Sequence, residues 1–439
     1  MHSDYLDFYK ELLNPAKIFE KPEALENVRV LELSNVVLGP AAADFLAEFG
    51  AEVIKVELPN IGDVMRYVTP EFFLYNNLSP GFEEQNHNKY HVAIDLRKPE
   101  GRELIYKLVK KCDVVIENFR PGTLDRWGIG YRQLSKIKPD IIYLALSGFG
   151  QWGRNALRVS YDAVAQAESG LMYITGFPDR DPIKCGVWIL DFSTSITGAI
   201  AVVAALLYRK RTGKGQFIDI SQVETAIRWM DWTWVYIGIT GKDRNRCGNR
   251  DLAIVPSNVY KCKDGFVAIA AFTEDEFLGL CDAMAREDLK KYADPLERLK
   301  PENSEIIDKA IAAWVSSLSS DELEKLSRKY GFACSAVLSP RDVYESQHFR
   351  DRKTVWIFED HLFGEVAEVQ SVKMSETPGR IKWVARPVGF DNEYVFIKLL
   401  GLSKEEIKAL ENKGVIGKWG EAKSTQPPDN WDGRKGLFF

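Results

Sequence analysis

Asp191 is the residue of this 439-residue chain best placed to do chemistry. It follows the apolar run Gly186 to Leu190 (GVWIL). It precedes Ser193, Thr194 and a stretch of small and apolar residues that closes on Arg209-Lys210-Arg211-Thr212-Gly213-Lys214-Gly215-Gln216. That order predicts a short strand, then a helix, with Asp191 at the junction. Two readings share the position. Asp191 or Ser193 can cap the helix, a contribution of about 1 kcal/mol. Equally, open α/β sheets hold ligands beyond the carboxyl ends of their strands, and a helix amino terminus keeps a carboxylate ionised. Capping and catalysis are not exclusive there.

The elements that must carry such a residue are legible around it. Val28 to Leu33 reads as a buried strand, Pro40 to Phe49 as a helix ended by Gly50, and Glu52 to Glu57 as the next strand. Strands at Tyr90 to Leu96, Asp113 to Glu117, Asp140 to Ser147 and Gln216 to Ile220, with an amphipathic helix at Pro99 to Lys111, continue the alternation. The expectation is an α/β fold, a doubly wound and mostly parallel sheet. Gln222 to Ile237 reads as one helix dense in aromatics. A hairpin through Tyr260 to Gly265 into Phe266 to Ala270 then opens a smaller α+β domain. We expect residues 1–222 to form the large domain, 223–340 the smaller one, and 341–439 a return segment with short strands from Phe358. A capping box at Ser403 to Glu406 starts a late helix, and the tail from Gly417 has no usable periodicity.

Composition excludes several classes. A net charge of -5 with scattered Lys and Arg gives no electrostatic footprint for nucleic acid. The apolar run Ala199 to Tyr208 is too short to span a bilayer and reads as a buried helix. The polar start from Met1 to Asn27 lacks a signal-peptide pattern, so a cytoplasmic protein is expected. Six dispersed cysteines and five dispersed histidines predict reduced thiols and no metal site. No Gly-x-Gly-x-x-Gly or phosphate-loop lysine supports a dinucleotide or ATP site.

The ensemble resembles the class III family of CoA-transferases, the formyl-CoA, carnitine and benzylsuccinate type. The likeness rests on Asp191 before a small-residue helix, on the turn Arg209, Thr212, Gly213, Gly215 and Gln216, and on Asn118-Phe119-Arg120-Pro121-Gly122 with Arg126. Ser147-Gly148-Phe149-Gly150 and Thr377-Pro378-Gly379 extend it over roughly residues 26 to 416. The resemblance implies that Asp191 is a nucleophile that attacks an acyl-CoA, passing through an aspartyl mixed anhydride and an aspartyl-CoA thioester. An ordinary aspartate is more than ~99% ionised at pH 7 and needs no general base. Coenzyme A thioesters would be substrates, with no permanent cofactor.

The family's active-site loop falls on Val36, Val37 and Leu38, whose backbone N–H groups would serve the oxyanion. Its CoA contacts fall on Ile94, Arg97, Asn118, Phe119 and Arg126. Leu58 and Val159 replace basic residues of the formyl-CoA enzymes, and Arg158 is the substitute beside Val159. Tyr161 and Asp162 carry over as active-site support. The family forms interlinked-ring dimers, so a homodimer is expected, and a paralogous subunit is an alternative partner. Trp229, Trp232, Val235 and Tyr236 predict a core or dimer face, or else a pocket for a medium-sized or aromatic organic acid. A 2-methylacyl-CoA racemase shares the fold, but Tyr161 stands where it needs a histidine base. A non-catalytic subunit of a heteromeric transferase is the remaining alternative.

Overall fold

The computed structural model describes residues 2–433. Its frame is a six-stranded, wholly parallel sheet in the order β3-β2-β1-β4-β5-β6. The strands and helices are β1 (Arg29–Leu33), α1 (Leu38–Glu48), β2 (Glu52–Glu57), β3 (Lys89–Ala93), α2 (Pro99–Val109), β4 (Val114–Glu117) and β5 (Ile142–Ser147). There follow α3 (Asp162–Glu168), α4 (Ile189–Thr212), β6 (Gln216–Ser221) and α5 (Gln222–Trp229). This is the doubly wound sheet that the alternating pattern predicts. Both faces are covered by apolar cores, one built on Leu31, Ile54, Val115 and Tyr143, the other on Val30, Val53, Ile116 and Leu144. Chain order reverses between β1 and β4, so their carboxyl ends diverge and leave the crevice in which such folds bind ligands.

Opposite charges are built into the register. Glu32 on β1 lies beside Lys55 on β2, and Lys55 Nζ reaches Glu32 Oε1 at 2.7 Å and Asp63 Oδ2 at 2.9 Å. Lys89 Nζ meets Glu32 Oε2 at 2.8 Å, all with fully buried side chains. Burial alone would expel these charges, but mutual pairing keeps Glu32 below its ordinary pKa and Lys55 above.

Two sequence expectations fail locally. Gly186 to Leu190 forms no strand: Trp188 precedes α4, and Ile189 and Leu190 are already in its first turn. The end of the run is taken into the helix, and none of its residues pairs in the sheet. The helix expected over Gln222 to Ile237 is broken, because Asp231 adopts φ 39° between α5 and α6 (Thr233–Thr240). The Asp231 carboxylate accepts from the N–H of Trp232 at 2.6 Å and from Arg244 at 2.7 Å, local bonds that compete with helix continuation.

The chain clusters into two compact units. The first holds everything up to Ser169, Gly186–Trp229 and the chain from Gln347 on; the second holds Gly170–Cys185 and Met230–Ser346. Sequence reading kept Gly170–Cys185 with the large domain. In the structure Tyr173 donates to Asn245 Oδ1 at 2.9 Å, and Arg246 donates to the Tyr173 carbonyl at 2.8 Å, tying it to the second unit. That unit carries an antiparallel sheet of β7 (Ser257–Lys261), β8 (Phe266–Ala270) and β9 (Ala333–Ala336) under α7 (Glu274–Ala283), α8 (Pro301–Val315) and α9 (Ser320–Tyr330). The return segment supplies a hairpin, β10 (Val355–Asp360) and β11 (Gly364–Val369), and then α10 (Lys404–Asn412), opened by the expected capping box. Within the described part of the tail, Trp431 packs on Phe390 and Trp419, contacts its composition does not suggest.

The 24-residue α4 is long and apolar enough to cross a membrane, with a mean hydropathy of 1.8 over its most apolar window. Its small residues Ser195, Gly198, Val202 and Ala205 are buried in the first unit. The expectation of a buried helix holds for that face only, since Ile196, Ile200, Val203 and Leu207 form an exposed stripe.

Candidate active site

The first turn of α4 has a helix-capping problem, since Trp188 offers no oxygen to its backbone N–H groups. Asp162, at the start of α3, solves it from a distance. Its Oδ1 accepts from the Leu190 N–H at 2.8 Å and its Oδ2 from Gln166 Nε2 at 2.6 Å. Asp191 is thereby released from capping. Its Oδ1 instead accepts from Gln222 Nε2 at 2.6 Å, and among the described residues Oδ2 has no hydrogen-bond partner.

Burial and the nearby Asp162 charge push the Asp191 carboxyl up to about 7, with the Gln222 hydrogen bond pulling the other way. Asp191 is therefore not the fully ionised aspartate that its residue type alone suggests. In the ligand-free chain at neutral pH a large fraction of Asp191 is protonated.

The loop after β1 is clamped. Asn118 Oδ1 accepts from the Asn35 N–H at 2.9 Å, and its Nδ2 donates to the Asn35 carbonyl at 2.6 Å. Val36 sits at φ 67°, a left-handed conformation that costs a β-branched residue of order 1–3 kcal/mol. Asp63, anchored on Lys55, holds it there by accepting the Val36 N–H at 3.0 Å. Of the three loop residues, Val36 has thus spent its N–H, and the remaining donors are those of Val37 and Leu38 at the amino terminus of α1. Gly39 is required by this packing: a Cβ there would lie 2.3 Å from Ser34 Cβ and 3.2 Å from Asn118 Cγ.

These pieces meet in a cavity of about 270 Å³, lined by Val36, Val37, Leu38, Asn118, Phe119, Arg158, Tyr161 and Asp191, with Gln222 at its wall. It lies at the carboxyl ends of β1, β4, β5 and β6, where the sheet order predicts a ligand. A second cavity of about 430 Å³ lies beyond the ends of β2 and β3, lined by Leu58, Ile94, Arg97 and Trp127. Phe119 borders both. A family model described as CoA-transferase family III matches residues 25–392.

The chain belongs to CoA-transferase family III.

Relatives extend the match over nearly the whole length. Succinyl-CoA–D-citramalate CoA-transferase of Chloroflexus aurantiacus is 35% identical over 401 residues, 90% of this chain and 98% of that protein. The alpha subunit of succinyl-CoA–L-malate CoA-transferase from the same species is 36% identical, over 89% of this chain and 92% of its own. Succinyl-CoA:mesaconate CoA-transferase of Haloarcula hispanica is 32% identical, over 81% and 91%. Among solved structures, a CAIB/BAIF family protein from Brucella suis superposes with a TM-score of 0.75 at 29% identity, covering 86% of this chain and all of that one.

The basic residues of this CoA-transferase are unequally placed. The Arg158 guanidinium stacks 4.6 Å from the Phe149 ring centroid and pairs with Glu168 at 2.9 Å on the rim of the smaller cavity. Arg97 pairs with Asp95 at 2.8 Å, its side chain still 60% exposed at the larger cavity. Arg126 is exposed, donates to Thr123 Oγ1 at 3.1 Å and lines neither cavity. The Asn118 amide is committed to the Asn35 backbone, which makes it a clamp on the loop as well as a wall residue. Tyr161 is exposed at the rim, and Asp162 lies behind Leu190 rather than in the lining.

Sequence reading missed Gln222 as a site residue and Arg120 and Ser160 as lining. For Gln222 a signal existed: it directly follows β6, at the carboxyl end of a parallel strand. Trp229, the member of the indole cluster that lies in the first unit, lines neither cavity.

A further cavity, about 520 Å³, is elsewhere in the first unit, between the outer stripe of α4, Phe45 and Phe49. Beside it Asp44, Glu48 and His87 bring their ligating atoms within 4.8 Å, as do Glu83, His87 and Glu368, where the sequence predicted no metal-binding group. Burial opposes a charge on His87, but Asp44 and Glu48 hold it well above its ordinary pKa, and the imidazolium offsets part of this acidity.

Proposed function

We propose that this CoA-transferase moves CoA from succinyl-CoA to a short dicarboxylic acid, with Asp191 as the nucleophile. The observation that carries the reading is the Asp191 carboxylate, held by Gln222 through one oxygen and open through the other, in a cavity shared with the amino terminus of α1. Oδ2 attacks the thioester carbonyl, the C–S bond breaks and CoA thiolate leaves, giving a mixed anhydride. The thiolate attacks the aspartyl carbonyl, releases the donor acid and forms an aspartyl-CoA thioester. The acceptor carboxylate then reverses both steps and leaves as its CoA ester. The Val37 and Leu38 N–H groups are the donors for the oxyanion on the acyl carbonyl, each worth roughly 3 kcal/mol.

Deprotonation of Asp191 in this scheme is favoured by the approach of those same donors and limited by burial. The larger cavity, bordered by Ile94, Arg97 and Phe119, receives the nucleotide end of CoA, with the pantetheine arm passing Phe119 toward Asp191. Arg158 and Arg120 supply positive charge at the rim for the anionic groups of the substrates.

Short dicarboxylates fit better than aromatic acids for two reasons. The relatives are named for succinyl-CoA and citramalate, malate or mesaconate, and a site of about 270 Å³ lies just below the range of drug-sized pockets. A homodimer is expected, with the exposed stripe of α4 as part of its contact. The test is a panel of acceptor acids with succinyl-CoA, read by the CoA esters formed. Turnover with citramalate, malate or mesaconate and none with benzoate-type acids is expected; a preference for benzoate-type acceptors, or no transfer from succinyl-CoA to any of these dicarboxylates, would overturn the assignment.

A further inference from the structure

We infer that Gln222 is a second catalytic group, the donor that stabilises the oxyanion formed whenever the aspartyl carbonyl itself is attacked. The inference rests on the proposed nucleophilic role of Asp191. Gln222 opens α5 directly after β6 and is 2% exposed. Its Nε2 donates to Asp191 Oδ1 at 2.6 Å, while its Oε1 accepts from Ser160 Oγ at 3.2 Å. The carboxylate contact selects this amide orientation, since a flipped amide would turn its oxygen toward the ionised carboxylate, while the serine hydroxyl can serve either orientation.

One oxygen of Asp191 is therefore anchored before substrate arrives, and Oδ2 is the oxygen left to attack. Once Oδ2 carries the acyl group, Oδ1 becomes the carbonyl oxygen of the aspartyl half of the anhydride, still at Gln222 Nε2. CoA thiolate then adds to Cγ, the Cγ–S bond forms, and the carbonyl electron pair moves onto Oδ1. Collapse breaks the Cγ–Oδ2 bond, and the donor acid leaves with Oδ2 in its carboxylate. When the acceptor carboxylate attacks the aspartyl-CoA thioester, Cγ–S breaks, thiolate leaves, and Oδ1 again carries the transient charge. The acyl carbonyl has the α1 amino terminus; the aspartyl carbonyl has Gln222.

The test is rapid-quench mass spectrometry of the intact protein with succinyl-CoA at pH 9, where Asp191 is ionised, comparing wild type with Gln222→Met. Free CoA and the succinyl adduct on Asp191 should appear within about tenfold of the wild-type rate. The aspartyl-CoA adduct should form roughly 10²- to 10³-fold more slowly, the loss seen when one oxyanion donor is removed. Formation of aspartyl-CoA at the wild-type rate, or an equal slowing of both steps, overturns the inference. Should Gln222→Met fail to melt cooperatively, Ser160→Ala leaves Gln222 in place and frees its amide. It is expected to slow the same step several-fold, and no change would count against the proposal. Asp191→Asn separates the two claims, because transfer surviving in that variant removes the nucleophile whatever Gln222 does.

Discussion

At the scale of single residues, catalysis and stability pull Asp191 in opposite directions. Its pKa is raised from an ordinary value of 3.8 to about 7, so between those two pH values the folded chain binds a proton that the unfolded chain has lost. The resulting stability is fully present below pH 4, is lost as pH rises through about 7, and amounts to at most about 4 kcal/mol. Asp191→Asn should therefore melt like wild type near pH 4 and be the more stable protein at pH 8, while losing CoA transfer by at least about 10³-fold. Thermal melts and assays at both pH values check this.

The same charge balance predicts a transfer rate that rises with pH to a plateau, half-complete near 7 in the free enzyme. Asp162→Asn, which keeps an oxygen for the Leu190 N–H but removes a negative charge, should move that midpoint downward at a stability cost of about 1 kcal/mol. A pH profile unchanged by that substitution would remove Asp162 as a cause of the shift. The sequence offers the identity of Asp191 and some of the residues around it, among them Tyr161 and Asp162, but not Gln222. The shift was not legible, because it depends first on the burial of Asp191 in the folded chain and then on Asp162, 29 residues earlier, lying close to it.

At the scale of elements, the strands and their parallel, doubly wound class are readable because β1, β2, β4 and β5 are short runs rich in apolar residues separated by helical periods. What failed was local. GVWIL has the composition of a strand but no sheet neighbour, and Asp231 ends α5 through its own side chain. The clamp on the loop after β1 was not legible either, since Asn35, Asp63 and Asn118 meet only once the sheet is formed. That clamp should be sensitive to a single methyl group. Gly39→Ala places a Cβ inside contact distance of Ser34 and Asn118, so a loss of about 1–3 kcal/mol is expected, with at least a tenfold fall in kcat/KM. Urea titration and steady-state kinetics measure both; wild-type kinetics in a destabilised variant would detach the loop from catalysis.

At the scale of the whole molecule, one long helix joins two roles. Its first turn presents Asp191, and further along Ile196, Ile200, Val203 and Leu207 leave an apolar stripe uncovered in the single chain. Such a stripe calls for a partner, and a second copy is the one expected for this family. Ile200→Glu, at a residue that lines neither the Asp191 cavity nor the cavity of Ile94 and Arg97, should shift the protein toward monomer in sedimentation velocity; an unchanged association state would place the contact elsewhere. The relatives that pair alpha and beta subunits make the same measurement informative about a heteromeric partner. Activity of the isolated chain would show that none is needed.

The claim on which all of this depends is covalent chemistry at Asp191. Incubation with succinyl-CoA, quenching with hydroxylamine and peptide mapping test it directly. A hydroxamate at Asp191, absent when CoA alone is supplied, is the predicted result. Formation of the acceptor's CoA ester while Asp191 stays unmodified, with Asp191→Asn still active, would contradict it.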